Sequence, residues 1–346
     1  MSSRATRVIQ SNRRHPASRR TFLKTASAAV ALGIAPSRRA WGAADEKRPP
    51  EALVETLFQT LTADQRKRVC FDWDHTDSSL GLLRTRVSAN WRITEPAIDS
   101  EFYTVQQRQI IRRIFEGLVR PEWHARFDRQ LKDDVGGFGR EQSIAIFGKP
   151  GQEKFEFVLT SRHMTVRCDG GSNAHLAFGG PIFYGHAATG LREKPDHPGN
   201  VFWHQALTAN ELFKKLDDKQ QARALVKQAP PEEAVGFRGP KGDFPGIPIA
   251  SLAGPLRQMA QTVLDRLVEP YRDEDRNRVL ACLQAQGGLE KCHLAFYEEG
   301  DLGNDRVWDI WRLEGPAFVW HFRGAPHVHT WVHVADDPTV KLNASS

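Results

Sequence analysis

Residues 143–168 read SIAIFGKPGQEKFEFVLTSRHMTVRC, and this stretch decides the fold. Three short runs, Ser143–Phe147, Lys154–Thr160 and His163–Cys168, are rich in Ile, Val, Phe and Thr. Such residues suit a pleated, half-buried surface. Gly148-Lys149-Pro150-Gly151 separates the first two runs. Asp169-Gly170-Gly171 follows the third and leads to another short run, Ala174–Phe178. Glycine, proline and aspartate clusters of this kind form turns. The pattern predicts an antiparallel strand meander.

Working outward, the texture on either side is helical. Glu51–Leu61 has helical spacing, and Thr62-Ala63-Asp64-Gln65 opens a second helix with a capping box. That helix runs into a short strand at Cys70–Trp73, and Ser88–Ile93 reads as extended. Thr104 to Leu118 is a helix with an apolar stripe of Ile110, Ile111, Ile114, Phe115 and Leu118. Pro121 starts another, which ends before Gly136-Gly137. After the meander, a helix is expected from Thr208 to about Lys227, then a Pro- and Gly-rich loop over 229–250. Helices follow at Leu256–Val268 and Asp273–Gln286. A second strand-rich block comprises Cys292–Glu298, Arg306–Leu313, Ala317–Phe322 and His327–Val334. Helices, strands, helices and strands in that order, without βαβ alternation, predict an α+β fold with a largely antiparallel sheet. Residues 45–346 are expected to form a single large domain, with strand-rich blocks near 143–183 and 290–335. Those blocks either join in one sheet or form a pseudo-symmetric pair.

The amino-terminal segment has a different character. Ser18-Arg19-Arg20-Thr21-Phe22-Leu23-Lys24 is a full twin-arginine export signal. A basic segment precedes it, an apolar run over Ala26–Ala35 follows, and small residues at 42–44 close it. Such segments are addresses rather than structure. Residues 1–44 are therefore read as a signal peptide. Its partner is the twin-arginine export machinery, and the destination is the periplasm or the exterior. The formal charge of the whole chain is +6. Nine of its 48 basic residues, and none of its 42 acidic ones, lie in residues 1–44, so residues 45–346 carry a formal −3. This removes the electrostatic basis for a nucleic-acid partner. No stretch approaches the roughly 20 apolar residues of a membrane span. Cys70, Cys168, Cys282 and Cys292 form no C-x-x-C pair, and one or two disulfides are compatible with an oxidising compartment.

The strongest chemical signal is Pro326-His327-Val328-His329-Thr330-Trp331-Val332-His333. On a strand, His327, His329, Trp331 and His333 share one face. An H-x-H pair there can direct two imidazoles to one ion, and neutral imidazole suits zinc, copper or iron. His321, on the preceding strand, can reach the same region across a hairpin. His163 is a third ligand or a general base, and His175 is its expected neighbour across the glycine turn. Glu314, in Glu314-Gly315-Pro316, is the candidate catalytic residue or a carboxylate supporting a ligating histidine. Phe183, Tyr184, Phe202 and Trp203 are candidates to line a ligand cleft. No P-loop, dinucleotide fingerprint, nucleophile elbow or H-E-x-x-H occurs.

These residues also carry a family resemblance. Leu57-Phe58-Gln59-Thr60-Leu61-Thr62-Ala63-Asp64-Gln65-Arg66, Cys70-Phe71-Asp72-Trp73-Asp74, Asn90-Trp91, Arg162-His163-Met164-Thr165, Leu313-Glu314-Gly315-Pro316 and Pro326-His327-Val328-His329 stand in order along the chain. Together they resemble the bacterial domain-of-unknown-function 3500 family over most of residues 52–335. The resemblance implies a globular, often exported protein and supports His163, Glu314, His327 and His329 as site positions. It implies no reaction. This chain carries Arg162 where members often have a second histidine.

Two readings follow. The first is an exported metal-binding protein, extending to a metal-dependent enzyme of hydrolytic or redox type, with His163, His327 and His329 as ligands. His321 and His333 stand behind them. The second is a non-catalytic periplasmic binding module for an organic ligand or a protein partner. The readings divide on whether the ring nitrogens of His163, His327 and His329 converge.

Overall fold

The computed structural model describes residues 48–188, 199–303 and 307–344. The export signal read at residues 18–24 lies outside the described residues. The meander forms as β1 (Ser143–Gly148), β2 (Phe155–Ser161), β3 (Met164–Cys168) and β4 (Ile182–His186). The second block forms β5 (His293–Tyr297), β6 (Ile310–Gly315), β7 (Phe318–Arg323) and β8 (Val328–Val334). All consecutive pairs within each block are antiparallel. The blocks join through an antiparallel β4–β8 ladder, with His329 opposite Gly185 and Trp331 opposite Phe183. The result is one mixed sheet in the order β1-β2-β3-β4-β8-β7-β6-β5, extended at its edges by two- residue strands. The fold is α+β, and the two blocks are halves of one sheet.

One sequence expectation is corrected here. Ala174–Phe178 is not a strand of the sheet; it makes an isolated bridge from Leu176 to Ala335, just past β8, with Ala177 N–H donating to Val334 O and Asp336 N–H to His175 O. The partner of β3 is Ile182–His186 instead. The Asp169-Gly170-Gly171 turn is tied by Asp169, which accepts from Gly171 N–H and Asn173 N–H, so the chain loops out before re-entering. His175 consequently lies at the surface, paired with Asp336 at 2.8 Å, and not beside His163.

Strand alternation gives the sheet two different faces. Phe157, Leu159, Val166, Tyr184, Trp320, Phe322, Val332 and Val334 all belong to the main apolar core. Helices cover that face. They are α1 (Pro50–Thr60), α2 (Ala63–Val69), α3 (Val105–Leu118), α4 (His124–Val135), α5 (Trp203–Lys215), α6 (Asp218–Ala224), α7 (Gly254–Val268) and α8 (Asp273–Ala285). The capping box predicted at Thr62/Gln65 forms, and Thr104 with Gln107 makes another. The single helix expected over 208–227 is two, because Asp217 with Gln220 makes a further capping box that starts α6. Tyr184, Phe202 and Trp203 pack inside this core rather than lining a cleft. Tyr184 donates to Gln205 and accepts from Trp320.

The opposite face is covered by loops and mixes small apolar clusters, around Phe147 and Val158 and around Phe183 and Trp331, with buried ionisable groups. Glu156, Arg167, Arg312, Glu314, His321, His329 and His333 are all buried on it. Arg167 donates to the carbonyls of Pro181, Arg84 and Arg86 and to Glu156, which fixes the 83–93 segment on the sheet. Trp91 from that segment donates to Thr165 on β3. The four cysteines are free thiols, and burial pushes Cys292 up to about 12. Among the described residues no helix is long and apolar enough to cross a membrane.

Candidate metal centre

Three histidines meet at one end of the sheet. His163 is the second residue of the two-residue turn between β2 and β3, since Ser161 pairs with Met164. Its φ is +58°, which is uncommon for a residue with a side chain. The strained position is held by two backbone bonds: His163 N–H to Ala89 O, and Gly185 N–H to His163 O. Ala89 belongs to the segment that Arg167 pins down, so the polar face holds the turn. Gly185 adds a steric condition. A Cβ there would collide with the carbonyl oxygen of Val328 and would just touch His163 Cβ. Glycine lets the turn, β4 and β8 approach closely enough for the rings to meet.

His329 projects from β8 between Gly185 and Arg323, and His327 immediately precedes the strand. His327 Nε2 lies 3.0 Å from His329 Nε2, which lies 3.2 Å from His163 Nε2. One ligand atom from each of the three falls within 4.8 Å of the others. Two nitrogens on one tetrahedral ion at about 2.0–2.1 Å would sit about 3.3 Å apart. The observed spacings are close to that chord. All three residues are buried, at 3% exposure for His163, 7% for His327 and 9% for His329.

Carboxylates stand behind two of the rings. Glu232 faces His329 Nδ1 at 3.0 and 3.2 Å, and also accepts from Trp331 Nε1 at 3.2 Å. Asp134, near the end of α4, lies 3.0 Å from His163 Nδ1, a close approach that is not aligned as a full hydrogen bond. Asp134 also accepts from Gln130 and from Ala187 N–H. A carboxylate at Nδ1 assigns the ring proton to Nδ1 and leaves Nε2 with a bare lone pair. His163 and His329 thus point lone pairs at each other across 3.2 Å.

The electrostatics agree with a neutral His329 ring. Burial drives His329 down to about 3, with Arg323 and His163 assisting against Glu232. Burial alone would raise Glu232, but His329, Arg323 and Trp331 outweigh it and hold it near 2. Asp134 is likewise held below the ordinary carboxylate range, because His163, Ala187 N–H and Gln130 overcome its burial.

Sequence reasoning missed Glu232 and Asp134. Glu232 sits in the 229–250 segment, which reads only as a Pro- and Gly-rich loop. Its placement depends on partners far away in sequence: Arg312 donates to Ala234 O at 2.9 Å, and His333 Nδ1 contacts Val235 O at 3.2 Å. Asp134 looks like any polar residue of an amphipathic helix.

The remaining candidates lie elsewhere on the same face. His333 shares the face of His329 as expected, but its ring stacks on Phe237 with centroids 3.9 Å apart. His321 accepts from Arg312 Nε at 3.2 Å. Burial and the arginine keep His321 well below its ordinary range. Glu314 is bound by Arg238 at 2.8 Å and approached by Arg312 at 3.9 Å, and supports neither His327 nor His329. A cleft of about 840 Å³ opens near Glu51, Asp169, Arg272 and Asp275. It is away from the histidines, and Arg272 in it is already paired, with Glu51 at 2.7 Å and Asp275 at 2.9 Å.

An antiparallel sheet with a helix-covered apolar face and a loop-covered ionisable face, ending in a three-histidine cluster, defines the class of protein. The family described as protein of unknown function (DUF3500) matches residues 45–336, and the chain belongs to it. No curated protein and no solved structure matches the chain.

Proposed function

We propose that this protein binds one divalent transition-metal ion on His163, His327 and His329. The observation that supports the reading best is the close approach of three Nε2 atoms, two of them on carboxylate-backed imidazoles and bare in the tautomer those carboxylates favour. A cation between the rings turns the repulsion of those lone pairs into coordination. Ligating histidines characteristically give their other N–H to a carboxylate, which fixes the tautomer and raises ligand basicity. Asp134 and Glu232 are suited to that part. Three protein nitrogens leave at least one coordination position for water or substrate. An ion so held lowers the pKa of bound water or polarises an oxygen of a substrate. Zinc, copper and iron all accept this donor set.

We also propose that the protein acts outside the cytoplasm, on the strength of Ser18–Lys24. Replacing Arg19 and Arg20 together by Lys should leave the protein in the cytoplasm; continued export would remove that reading.

The metal reading is tested by elemental analysis of protein purified after export, beside a His327→Ala/His329→Ala variant. The expected result is about one ion per chain in the parent and none in a still-folded variant. A metal-free parent that takes up no zinc, copper or iron on reconstitution would overturn it.

A further inference from the structure

The loop face holds an arginine whose hydrogen-bonding capacity the protein does not use. Arg323 ends β7 and is the direct cross-strand partner of His329. Opposed residues on one sheet face have Cβ atoms about 4.5–5.5 Å apart. Arg323 Nη1 donates to Glu232 Oε1 at 3.4 Å. Its Nε and Nη2 are buried and have no hydrogen-bond partner among the described residues. These two N–H groups lie on one edge of the guanidinium and point the same way. They form the fork that grips both oxygens of a carboxylate or phosphate.

A buried donor without an acceptor is costly and calls for an explanation. Glu232 does not supply one. It meets only the far end of the guanidinium and already accepts from His329 and Trp331. The corner is not sealed: the side chains of Arg323 and Glu232 are each 19% exposed, and that of His329 is 11% exposed. Charge points the same way. A divalent ion on three neutral imidazoles would be balanced by Asp134 and Glu232. The charge of Arg323 would then be left over.

We infer that Arg323 anchors an anionic ligand of the histidine site. The ligand is a small oxyanion of carboxylate or phosphate type. One end lies on the Nε/Nη2 fork, and the other reaches an open position on the ion. Only the second contact rests on the metal reading; the fork stands on its own geometry. The same fork would select anionic over neutral substrates.

The test is calorimetric titration of the metal-loaded protein with oxalate and, separately, with inorganic phosphate. Parent protein is compared with Arg323→Lys, which keeps the charge and loses the fork, and with Arg323→Gln. The two titrants distinguish a carboxylate ligand from a phosphate. The expected result is binding of one oxyanion by the parent, weakened about 10-fold or more in both variants, at unchanged metal content. Equal binding by parent and variants, or no binding of either oxyanion by the parent, would overturn the inference. If the protein holds no metal, the same titration on metal-free protein still decides. Binding lost with Arg323 retains the fork while the metal reading falls; no binding removes both. Should the variants fail to fold, parent crystals soaked in the bound oxyanion provide the answer. The oxyanion on Arg323 Nε and Nη2 supports the inference, and its location elsewhere refutes it.

Discussion

The two faces of the sheet solve the problem of burial by different physics. The helix-covered face removes aromatic and aliphatic side chains from water, with Trp320, Phe322, Phe318 and Tyr184 at its centre. Its stability grows with apolar area and needs no directional partner. The loop-covered face buries Glu156, Arg167, Arg312, His321, His329 and His333. Each buried charge or ring nitrogen there requires a placed partner. The contrast teaches why the loops matter. On the polar face they supply carbonyls and carboxylates, and those in turn position the histidines.

This difference can be broken experimentally. The largest effect should come from Trp320→Ala, which opens a cavity on the apolar face and removes the bond to Tyr184. A loss of about 3–5 kcal/mol is expected from the denaturant midpoint, with the oxyanion and metal affinities of the surviving folded protein unchanged. Glu156→Gln should cost a similar amount, about 3–5 kcal/mol, by leaving Arg167 and Arg84 buried without their anion. An equal cost for Glu156→Leu/Arg167→Met/Arg84→Met, which leaves neither arginine charge orphaned, would show that the intact network, and not the orphaned charges, carries the stability.

Acid should act through the polar face. Burial lowers His333 to about 4 and His321 well below its ordinary value. A histidine with a depressed folded pKa takes up its proton first in the unfolded chain. Stability is therefore full above about pH 6.5 and is lost as pH falls toward the folded value. Metal-stripped protein should lose on the order of 1–3 kcal/mol between pH 7 and 4.5. His333→Gln should flatten that slope, and an unchanged slope would remove His333 from the account. Smaller again, Glu232→Gln should weaken metal affinity about 10–100-fold, by direct titration with a chelator, without abolishing the site. The smallest effect belongs to the surface: His175→Ala, at an exposed pair with Asp336, should change the thermal midpoint by less than the equivalent of about 1 kcal/mol.

Much of this was written locally. Period-two runs and turn clusters determine β1 to β3 and the second block, since alternation and glycine act within a few residues. Capping boxes at Thr62 and Thr104 determine where helices begin, because their partners lie three positions away. The H-x-H sequence puts His327 and His329 within reach of each other for the same reason. Tertiary structure decided the rest. The β4–β8 ladder, joining residues about 145 apart, makes one sheet of two blocks and brings His163 to His329, 166 positions away. It also sends His175 to the surface, places Glu314 against Arg238, and brings Glu232 and Asp134 behind the rings. A carboxylate carries no local mark of the imidazole it will face, because that pairing depends on burial and register set by the whole sheet.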